Sequence, residues 1–306
     1  MSDLNGILNI KKPPGITSFR VVSYIRKELS CKRVGHTGTL DPAAIGVLPI
    51  CVGKATKMIP YIPEGEKEYI AEICLGIKTD TLDAEGEIIE KNDDWQDISK
   101  EEINQVLNKF QGTIQQIPPM FSAVHHNGKR LYKLARQGKE VEREHREVEI
   151  INIELLDINL PIIKIRVLCS KGTYIRTLAD DIGKELNVGA HLSSLIRSRS
   201  GPFHIEDSIT LKELQQKGEN ALLPMDFPLQ LPKLYVKESS LKLAENGAAM
   251  NLENFVDIPE GLLENRKDDD TVSIYFENQI ISINRIQEDE DNILEFKPLR
   301  VFNVIV

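Results

Sequence analysis

Alternating apolar and polar positions predict several strands in the first two thirds of the chain. Between residues 67 and 75, the side chains at positions 69, 71, 73 and 75 are all apolar or aromatic. This is the period-two pattern of a strand with one buried face. Residues 151–155 and 163–169 alternate in the same way. The turn-like sequence TLDAEGEIIE, which follows the first of these segments, leads into a further predicted strand.

Four other segments show the three-to-four-residue apolar spacing of amphipathic helices. They are predicted to begin at Thr17 or Ser18, at Ser99, at Tyr174 and at Thr210. Ser99 and Thr210 are each followed three residues later by a glutamate, which is the capping-box pattern of a helix N-terminus. Helices and strands are mixed without a strict strand–helix–strand alternation. The sequence therefore predicts an α+β fold rather than a doubly wound parallel sheet.

The end of the chain differs in character from the rest. At about 100–200 residues per domain, 306 residues suggest two domains, or one large domain with an appendage. Beyond Pro224 and Pro232, short apolar segments separated by acidic turns are typical of a small β-rich domain. We predict a first domain over residues 1–230 and a second over 231–306. Residues 118–147, rich in Lys, Arg and His, are predicted to form an ordered loop or small insertion in the first domain.

Charge is unevenly distributed along the chain. The formal net charge is −9, but residues 1–60 carry nine Lys and Arg against three Asp and Glu, a balance of +6. Residues 240–306 carry six against fourteen, a balance of −8. A basic region joined to an acidic one fits a polyanionic partner that is held by the basic region only. A chance asymmetry explains the same counts equally well.

Composition is that of an ordinary globular protein, with 41% hydrophobic and 28% charged residues. No apolar run reaches the ~18 residues needed to span a bilayer, and the N-terminus lacks the features of a secretory signal. The four cysteines are far apart and form no CxxC pair, which argues against a zinc ribbon and fits a reducing compartment. We expect a cytoplasmic protein with no membrane partner.

The sequence contains no complete motif for nucleotide binding, metal binding or serine hydrolysis. Residues 46–54 have glycines too far apart for a phosphate loop, and Ala55 stands where that loop needs Ser or Thr. Read as a calcium loop, the segment from Asp80 would place Thr81 and Asn92 at the first and last ligand positions. The adjacent His125 and His126 would point apart on a strand or helix. No GxSxG is present, and we predict no metal and no cofactor.

Asp41 is the one acid in the glycine-rich stretch from residue 35 to residue 53. Glycines allow a close backbone approach to a ligand, so an aspartate in this setting fits a nucleophile or a general base. The following Pro42 equally fits a plain turn or helix start. The residues alone leave these alternatives open, and they show no second carboxylate with a comparable signal.

The stretch around Asp41 resembles the central motif of the bacterial tRNA pseudouridine synthases of the TruB type, which modify uridine 55. Lys11 stands where the family commonly has Asp. The C-terminal segment resembles, weakly, the PUA-like domain that these enzymes carry. The resemblance implies a catalytic domain on a mixed, largely antiparallel sheet with flanking helices. It extends over five ordered blocks, namely GILNIKKPPGITSFRVV, GHTGTLDP with the later GKATK, KEYIAEICLGIKTDTLDAEGEI, IPPMFSAVHHNGKRLYKLARQG and CSKGTYIRTLADDIG.

This resemblance also implies a reaction and roles for individual residues. The target uridine is flipped out of the RNA, and Asp41 acts as the nucleophile at either C1′ or C6, without a cofactor. Arg176 would hold the Asp41 carboxylate through two parallel N–H groups, and Tyr69 would stack on the base. From the residues alone, Tyr69 also fits an ordinary core tyrosine. Arg176 also fits a surface phosphate contact or an ordinary residue at a helix N-terminus.

Further residues match family positions that touch the RNA. His36 would occupy the space left by the flipped base, and Tyr174 and Leu195 would contact the flipped nucleotide. Lys57 would support the active-site loop or bind a phosphate. The basic segment before Glu140 contains no acid, so it is expected to grip the RNA backbone through salt-dependent contacts. Its basic residues are Lys129, Arg130, Lys133, Arg136 and Lys139.

The leading hypothesis is thus an isomerase that acts on the tRNA T-loop as a monomer, with no obligatory protein partner. A tRNA-binding or folding chaperone with incidental catalysis is an alternative from a different class. A guide-RNA-dependent pseudouridine synthase is a third possibility, although its known forms carry larger C-terminal domains with basic extensions.

Overall fold

The structure is a computed structural model that describes residues 4–302 except 64, 123, 127, 136, 265–266, 268–269 and 289–292. The side chains of residues 126 and 132 are also outside the description. The strands are β1 Gly6–Lys12, β2 Val34–His36, β3 Ile45–Val52, β4 Lys67–Leu75, β5 Ile77–Thr79, β6 Ile88–Lys91, β7 Gly112–Gln116, β8 His125–His126, β9 Lys129–Arg130, β10 Arg146–Asn159, β11 Ile162–Cys169, β12 Ala190–Ser200, β13 Phe203–His204, β14 Lys233–Tyr235, β15 Thr271–Phe276, β16 Gln279–Glu288 and β17 Leu294–Val301. The helices are α1 Ser18–Glu28, α2 Lys100–Lys109, α3 Leu131–Ala135, α4 Ile175–Glu185, α5 Leu211–Lys217 and α6 Leu241–Glu245.

Within the described residues, nine strands form one large sheet. Its main path runs β1-β3-β12-β4-β11-β10-β7, with β2 added to β3 and β13 to β12. The β3–β12 pair is parallel, and the other pairs in this sheet are antiparallel. The parallel pair joins two antiparallel halves, so the sheet is mixed and largely antiparallel.

Helices cover the large sheet in two groups. Helices α2 and α4 contribute to an apolar cluster with β4, β10 and β11. Helix α1 packs Val21, Val22 and Ile25 in a second cluster with side chains of β1 and β3. The caps follow the sequence pattern, because the side chain of Thr17 accepts from the Arg20 amide and Ser99 forms a capping box with Glu102.

A smaller sheet occupies the C-terminal region in the order β14-β15-β16-β17. It has its own apolar cluster, in which Phe255 and Phe296 pack edge to face. A further cluster contains side chains from both parts of the chain, including Val47 and Met58 from the first and Ile283 and Phe302 from the last. The two sheets therefore share buried apolar surface.

These elements confirm the predicted α+β class, and the strands and helices expected from periodicity are present. Six strands of the large sheet were not expected, namely β1, β2, β3, β7, β12 and β13. Strand β3, IGVLPICV, is buried along almost its whole length, so it shows a continuous apolar run instead of alternation. The predicted insertion 118–147 contains the hairpin β8–β9 and helix α3, and its last two residues belong to β10.

Candidate active site

Asp41 lies in the loop that connects β2 to β3, and the backbone of this loop is held on both sides of the carboxylate. The Ser18 hydroxyl donates to the Leu40 carbonyl at 3.0 Å and accepts from the Leu40 amide at 2.9 Å. The Gly15 amide donates to the Pro42 carbonyl at 2.9 Å. The Asp41 side chain keeps 41% of its surface exposed.

Lys12 provides a further anchor for this loop. Its ammonium group donates to the carbonyls of Pro13, Ile16 and Pro42 at 2.8–2.9 Å, and the side chain has no exposed surface. Burial lowers the pKa of Lys12 to about 8, while the Asp41 charge acts in the opposite direction. Three carbonyls match the three donors of an ammonium group, so Lys12 ties the residue next to Asp41 to the N-terminal strand.

Arg176, the second residue of α4, faces Asp41 from across the site. Its Nε lies 3.1 Å from Oδ2 of Asp41, and Nη1 lies 3.4 Å from Oδ2 of Asp83. Its Nη2 donates to the Phe121 carbonyl at 2.9 Å. Its Nη1 also donates to the Thr81 carbonyl at 3.5 Å. The guanidinium is thus divided among two carboxylates and two carbonyls, instead of giving Asp41 the two parallel contacts expected from the sequence. With the arginine side chain only 6% exposed, these partners offset the cost of burying its charge.

Asp83 is a site residue that the sequence reasoning missed. It follows β5 in a turn, where its carboxylate accepts from the Thr81 hydroxyl at 2.6 Å and from the Glu85 amide at 3.1 Å. At 16% exposure it is more buried than Asp41. The only signal in the sequence was its position in the block KTDTLDAEGE, which also holds three other acids. Nothing local distinguishes the one that meets Arg176.

Tyr69 and His36 lie beside the same loop. Tyr69 is a buried residue of β4, opposite Arg197 of β12 in the strand register. Burial raises the pKa of Tyr69, and the charge of Arg197 opposes this effect. His36 ends β2 and is half-buried, and burial lowers its pKa, with the Arg197 charge acting in the same direction. Both rings are therefore neutral at pH 7, which suits stacking on a base.

Tyr174 and Leu195 complete the group around Asp41 and Arg176. Tyr174 precedes α4, where its amide donates to the Gln116 side chain at 3.0 Å. Burial raises the pKa of Tyr174, and the charges of Arg176 and Asp41 act on it in opposite directions. Leu195 packs against the apolar cluster that contains Leu40 and Tyr69. The structure thus brings together six of the residues predicted for the site, namely Asp41, Tyr69, Arg176, His36, Tyr174 and Leu195.

The other predicted residues lie apart from this group. The Lys57 ammonium donates to the Val301 carbonyl at 3.5 Å, so it contacts the C-terminal region. In the segment between β7 and β10, four of the five basic residues predicted to contact RNA are exposed, as an RNA-contacting surface requires. These exposed residues are Lys129, Arg130, Lys133 and Lys139. Arg136 lies outside the described residues.

An open cavity of about 430 Å³ adjoins the Asp41 loop. Thr37 and Gly38 of the loop form one side, and Lys67, Arg146 and Lys171 contribute positive charge at the ends of three neighbouring strands. The volume falls in the range of ligand pockets, about 300–1,000 Å³. A basic cleft beside an arginine-held carboxylate suits an anionic ligand that extends beyond the carboxylate itself.

Two searches of the described residues gave negative results. No group of three or more His, Cys, Asp or Glu side chains is arranged to hold a metal ion in that part of the chain. No helix formed by those residues has both the length and the apolar character needed to cross a membrane.

Comparisons with protein families give two matches along the chain. Residues 26–175 match the N-terminal domain of the TruB family pseudouridylate synthases. Residues 176–230 match the C-terminal domain model of tRNA pseudouridylate synthase B. The border between the two models falls at the start of α4, although β12 beyond it belongs to the large sheet.

Curated proteins and solved structures extend these matches to nearly the full length. A tRNA pseudouridine synthase B from Alkaliphilus oremlandii is 45% identical over 302 residues, covering 97% of this chain and 98% of the relative. One from Francisella philomiragia is 53% identical over 213 residues, or 70% of each chain. A chain in the crystal structure of a Cbf5–Nop10–Gar1 complex is 30% identical with a TM-score of 0.74, covering 98% of this chain and 85% of that one.

Proposed function

Because the chain belongs to the TruB family of pseudouridylate synthases, we propose that it converts uridine 55 in the T-loop of tRNA to pseudouridine. The observation that carries this proposal is the ion pair between Arg176 and the exposed Asp41 carboxylate, in a loop whose Thr37 and Gly38 also line a cleft with basic residues. The similar curated proteins carry the name tRNA pseudouridine synthase B. The roles predicted for Asp41, Tyr69 and Arg176 fit the geometry of the site.

The reaction breaks the C1′–N1 glycosidic bond, turns the uracil and joins its C5 to C1′. C5 loses its proton and N1 gains one, so the product is an isomer of the substrate. Asp41 is the nucleophile, attacking C1′ or C6, because its carboxylate is exposed while its backbone is fixed. Carboxylate nucleophiles at an anomeric carbon are known from glycoside hydrolysis. Arg176 orients the attacking carboxylate, and no change of oxidation state is required.

Base recognition depends on neutral, partly buried side chains around the carboxylate. Flipping the uridine out of the folded T-loop costs a few kcal/mol. Tyr69 recovers part of this cost by stacking, worth about 1–3 kcal/mol per base. Tyr174 and Leu195 line the space for the flipped nucleotide, and His36 fills the gap left in the loop.

Binding of the rest of the tRNA depends on charge. The exposed lysines and arginines between β7 and β10 contact phosphates and give salt-dependent affinity. Lys57 supports the binding surface from the side of the C-terminal region. We further propose a catalytic domain over residues 1–230 and a PUA-like domain over 231–306, and a monomer that acts in the cytoplasm without a cofactor or obligatory partner.

Tritium release from tRNA transcribed with [5-³H]uridine tests the proposal, because forming the C5–C1′ bond expels the hydrogen at C5. We expect about one equivalent per tRNA from the purified protein alone, with no guide RNA. Asp41→Asn should abolish release. Asp94→Asn, the same chemical change on the exposed surface, should leave it unchanged, and tRNA with cytidine at position 55 should give none.

Other outcomes favour the alternatives. Tight tRNA binding without release would move the assignment to a tRNA-binding or folding chaperone. Release that requires an added guide RNA and accessory proteins would favour a guide-dependent enzyme. The similar Cbf5 chain was solved in a complex with Nop10 and Gar1.

A further inference from the structure

Arg197 is a buried arginine with an unusual set of partners. It lies in β12 and is 1% exposed. Its Nε donates to the Val47 carbonyl at 2.8 Å, and its Nη1 donates to the Thr39 carbonyl at 3.2 Å. The third nitrogen, Nη2, is buried without a hydrogen-bond partner among the described residues. No carboxylate of those residues forms an ion pair with it.

A buried charge in this condition is costly. Arginine is rarely fully buried unless it is paired, and a buried donor without a partner costs free energy. The buried guanidinium of Arg197 is therefore not explained by a contribution to stability. The positions of its two carbonyl acceptors indicate a role in the site instead.

The two acceptors of Arg197 bracket the proposed nucleophile. Thr39 lies two residues before Asp41, and Val47 lies just after the loop, in β3. On its other side, β12 pairs with β4 so that Arg197 is opposite Tyr69. A single rigid guanidinium thus connects both ends of the Asp41 loop to the strand pair that carries the stacking tyrosine.

We propose that Arg197 is a positioning residue for this reaction, which sets the place of the Asp41 loop relative to Tyr69. The inference rests on the proposed function. Arg197 acts through its neighbours, because it has almost no surface that an RNA could touch. The Arg197 charge acts to lower the pKa of both Tyr69 and His36, which fits its position between the Asp41 loop and β4.

The test compares Arg197→Met and Arg197→Lys in single-turnover tritium release and in tRNA binding by filter retention. Arg197→Met should slow release by about 100-fold, as expected when a reacting group is misplaced by about 1 Å. The Kd for tRNA should not change. Arg197→Lys keeps the charge but spans only one of the two carbonyls, so its rate should be intermediate.

Arg199 provides the matched control. It lies two residues further along β12 and pairs with Glu66 at 2.6 Å at the surface. Arg199→Met should release tritium at the wild-type rate. A folded Arg197→Met variant that reacts as fast as Arg199→Met, or that loses tRNA affinity instead of rate, would overturn the inference.

Two further observations keep the test decisive. If Arg197→Met does not fold, Arg197→Lys decides, since a wild-type rate in that variant would contradict the positioning role. Hydrogen exchange at the Leu40 amide should be faster in Arg197→Lys, while exchange in β4 is unchanged. Failure of the proposed function is distinguishable, because then the wild-type protein releases no tritium at all.

Discussion

Two carboxylates share the guanidinium of Arg176, but they differ in exposure and therefore in role. Asp41 is 41% exposed and Asp83 is 16% exposed. Asp83 is also held by the Thr81 hydroxyl and the Glu85 amide. The more exposed carboxylate is free to reach a substrate, while the more buried one fixes the arginine that orients it.

Asp83→Asn should therefore slow the reaction without weakening tRNA binding. The substitution removes the charge that holds Nη1 of Arg176, so the guanidinium loses its fixed orientation towards Asp41. We expect single-turnover tritium release to fall about 10- to 100-fold, the equivalent of a charge-assisted hydrogen bond of about 1.5–3 kcal/mol. The measured quantities are the release rate and the Kd for tRNA.

Asp80→Asn is the control for that variant. Asp80 lies in the same turn, but its carboxylate accepts from the Glu87 amide at 2.8 Å, a bond that an asparagine oxygen also accepts. Equal effects of the two substitutions would mean that the turn as a whole matters, and that the contact between Asp83 and Arg176 has no special role.

At the scale of elements, the parallel pairing of β3 with β12 decides the shape of the site. Gly46 lies opposite Arg197 in this pair and has a φ of +116°. A Cβ atom at Gly46 would collide with the Arg197 carbonyl oxygen. Only glycine allows the two strands to approach here, and this approach brings Arg197 to the end of the Asp41 loop.

Gly46→Ala should lower the free energy of unfolding through both an unfavourable backbone conformation and a collision with β12. An unfavourable backbone conformation alone costs about 1–3 kcal/mol, so we expect a larger loss. Gly15→Ala is the matched control, because Gly15 also has a positive φ, of +80°, but no atom within 4 Å of the added methyl group. Urea denaturation of the two variants measures the difference. If both lose the same stability, the close approach to β12 contributes nothing beyond backbone strain.

The elements also differ in whether a local sequence pattern predicts them. Strand β4 and helix α2 each have a local signature, alternation in the first and a capping box in the second, and both were predicted. Strand β12, AHLSSLIRSRS, has no such signature because it buries Arg197 and His191 among polar neighbours. It becomes a strand through its pairing with β3 and β4, which are distant in the sequence.

At the scale of the whole molecule, the two sheets share an apolar cluster. Phe302 and Ile283 from the C-terminal region are fully buried in the same cluster as Val47 and Met58. The Tyr275 hydroxyl adds a hydrogen bond of 2.7 Å to Asp226 in the segment before β14. Since these contacts form only when both parts are folded, the two parts are expected to unfold together.

Phe302→Ala should lower the urea midpoint of unfolding measured by Trp95 fluorescence. Trp95 packs against the apolar cluster of the large sheet and not against the cluster that contains Phe302. Losing a buried phenylalanine costs about 3–5 kcal/mol. Trp95 is the one tryptophan of the chain, so its fluorescence reports the large sheet alone. Val256→Ala, at an exposed position, is the control. An unchanged Trp95 midpoint in Phe302→Ala would show that the two parts unfold independently.

The sequence by itself determined the α+β class, the main helices and alternating strands, the family, and Asp41 as the candidate nucleophile. Each of these depends on a local pattern, such as periodicity, a cap or a motif in adjacent residues. Only the tertiary structure revealed the side chains that hold the Asp41 loop and Arg176 in place. Asp83 contacts Arg176, while Lys12 and Arg197 donate to carbonyls of the loop from separate strands. Arg197 and Thr39 lie 158 positions apart in the chain. Such contacts depend on the order and register of the sheet, which no local pattern encodes.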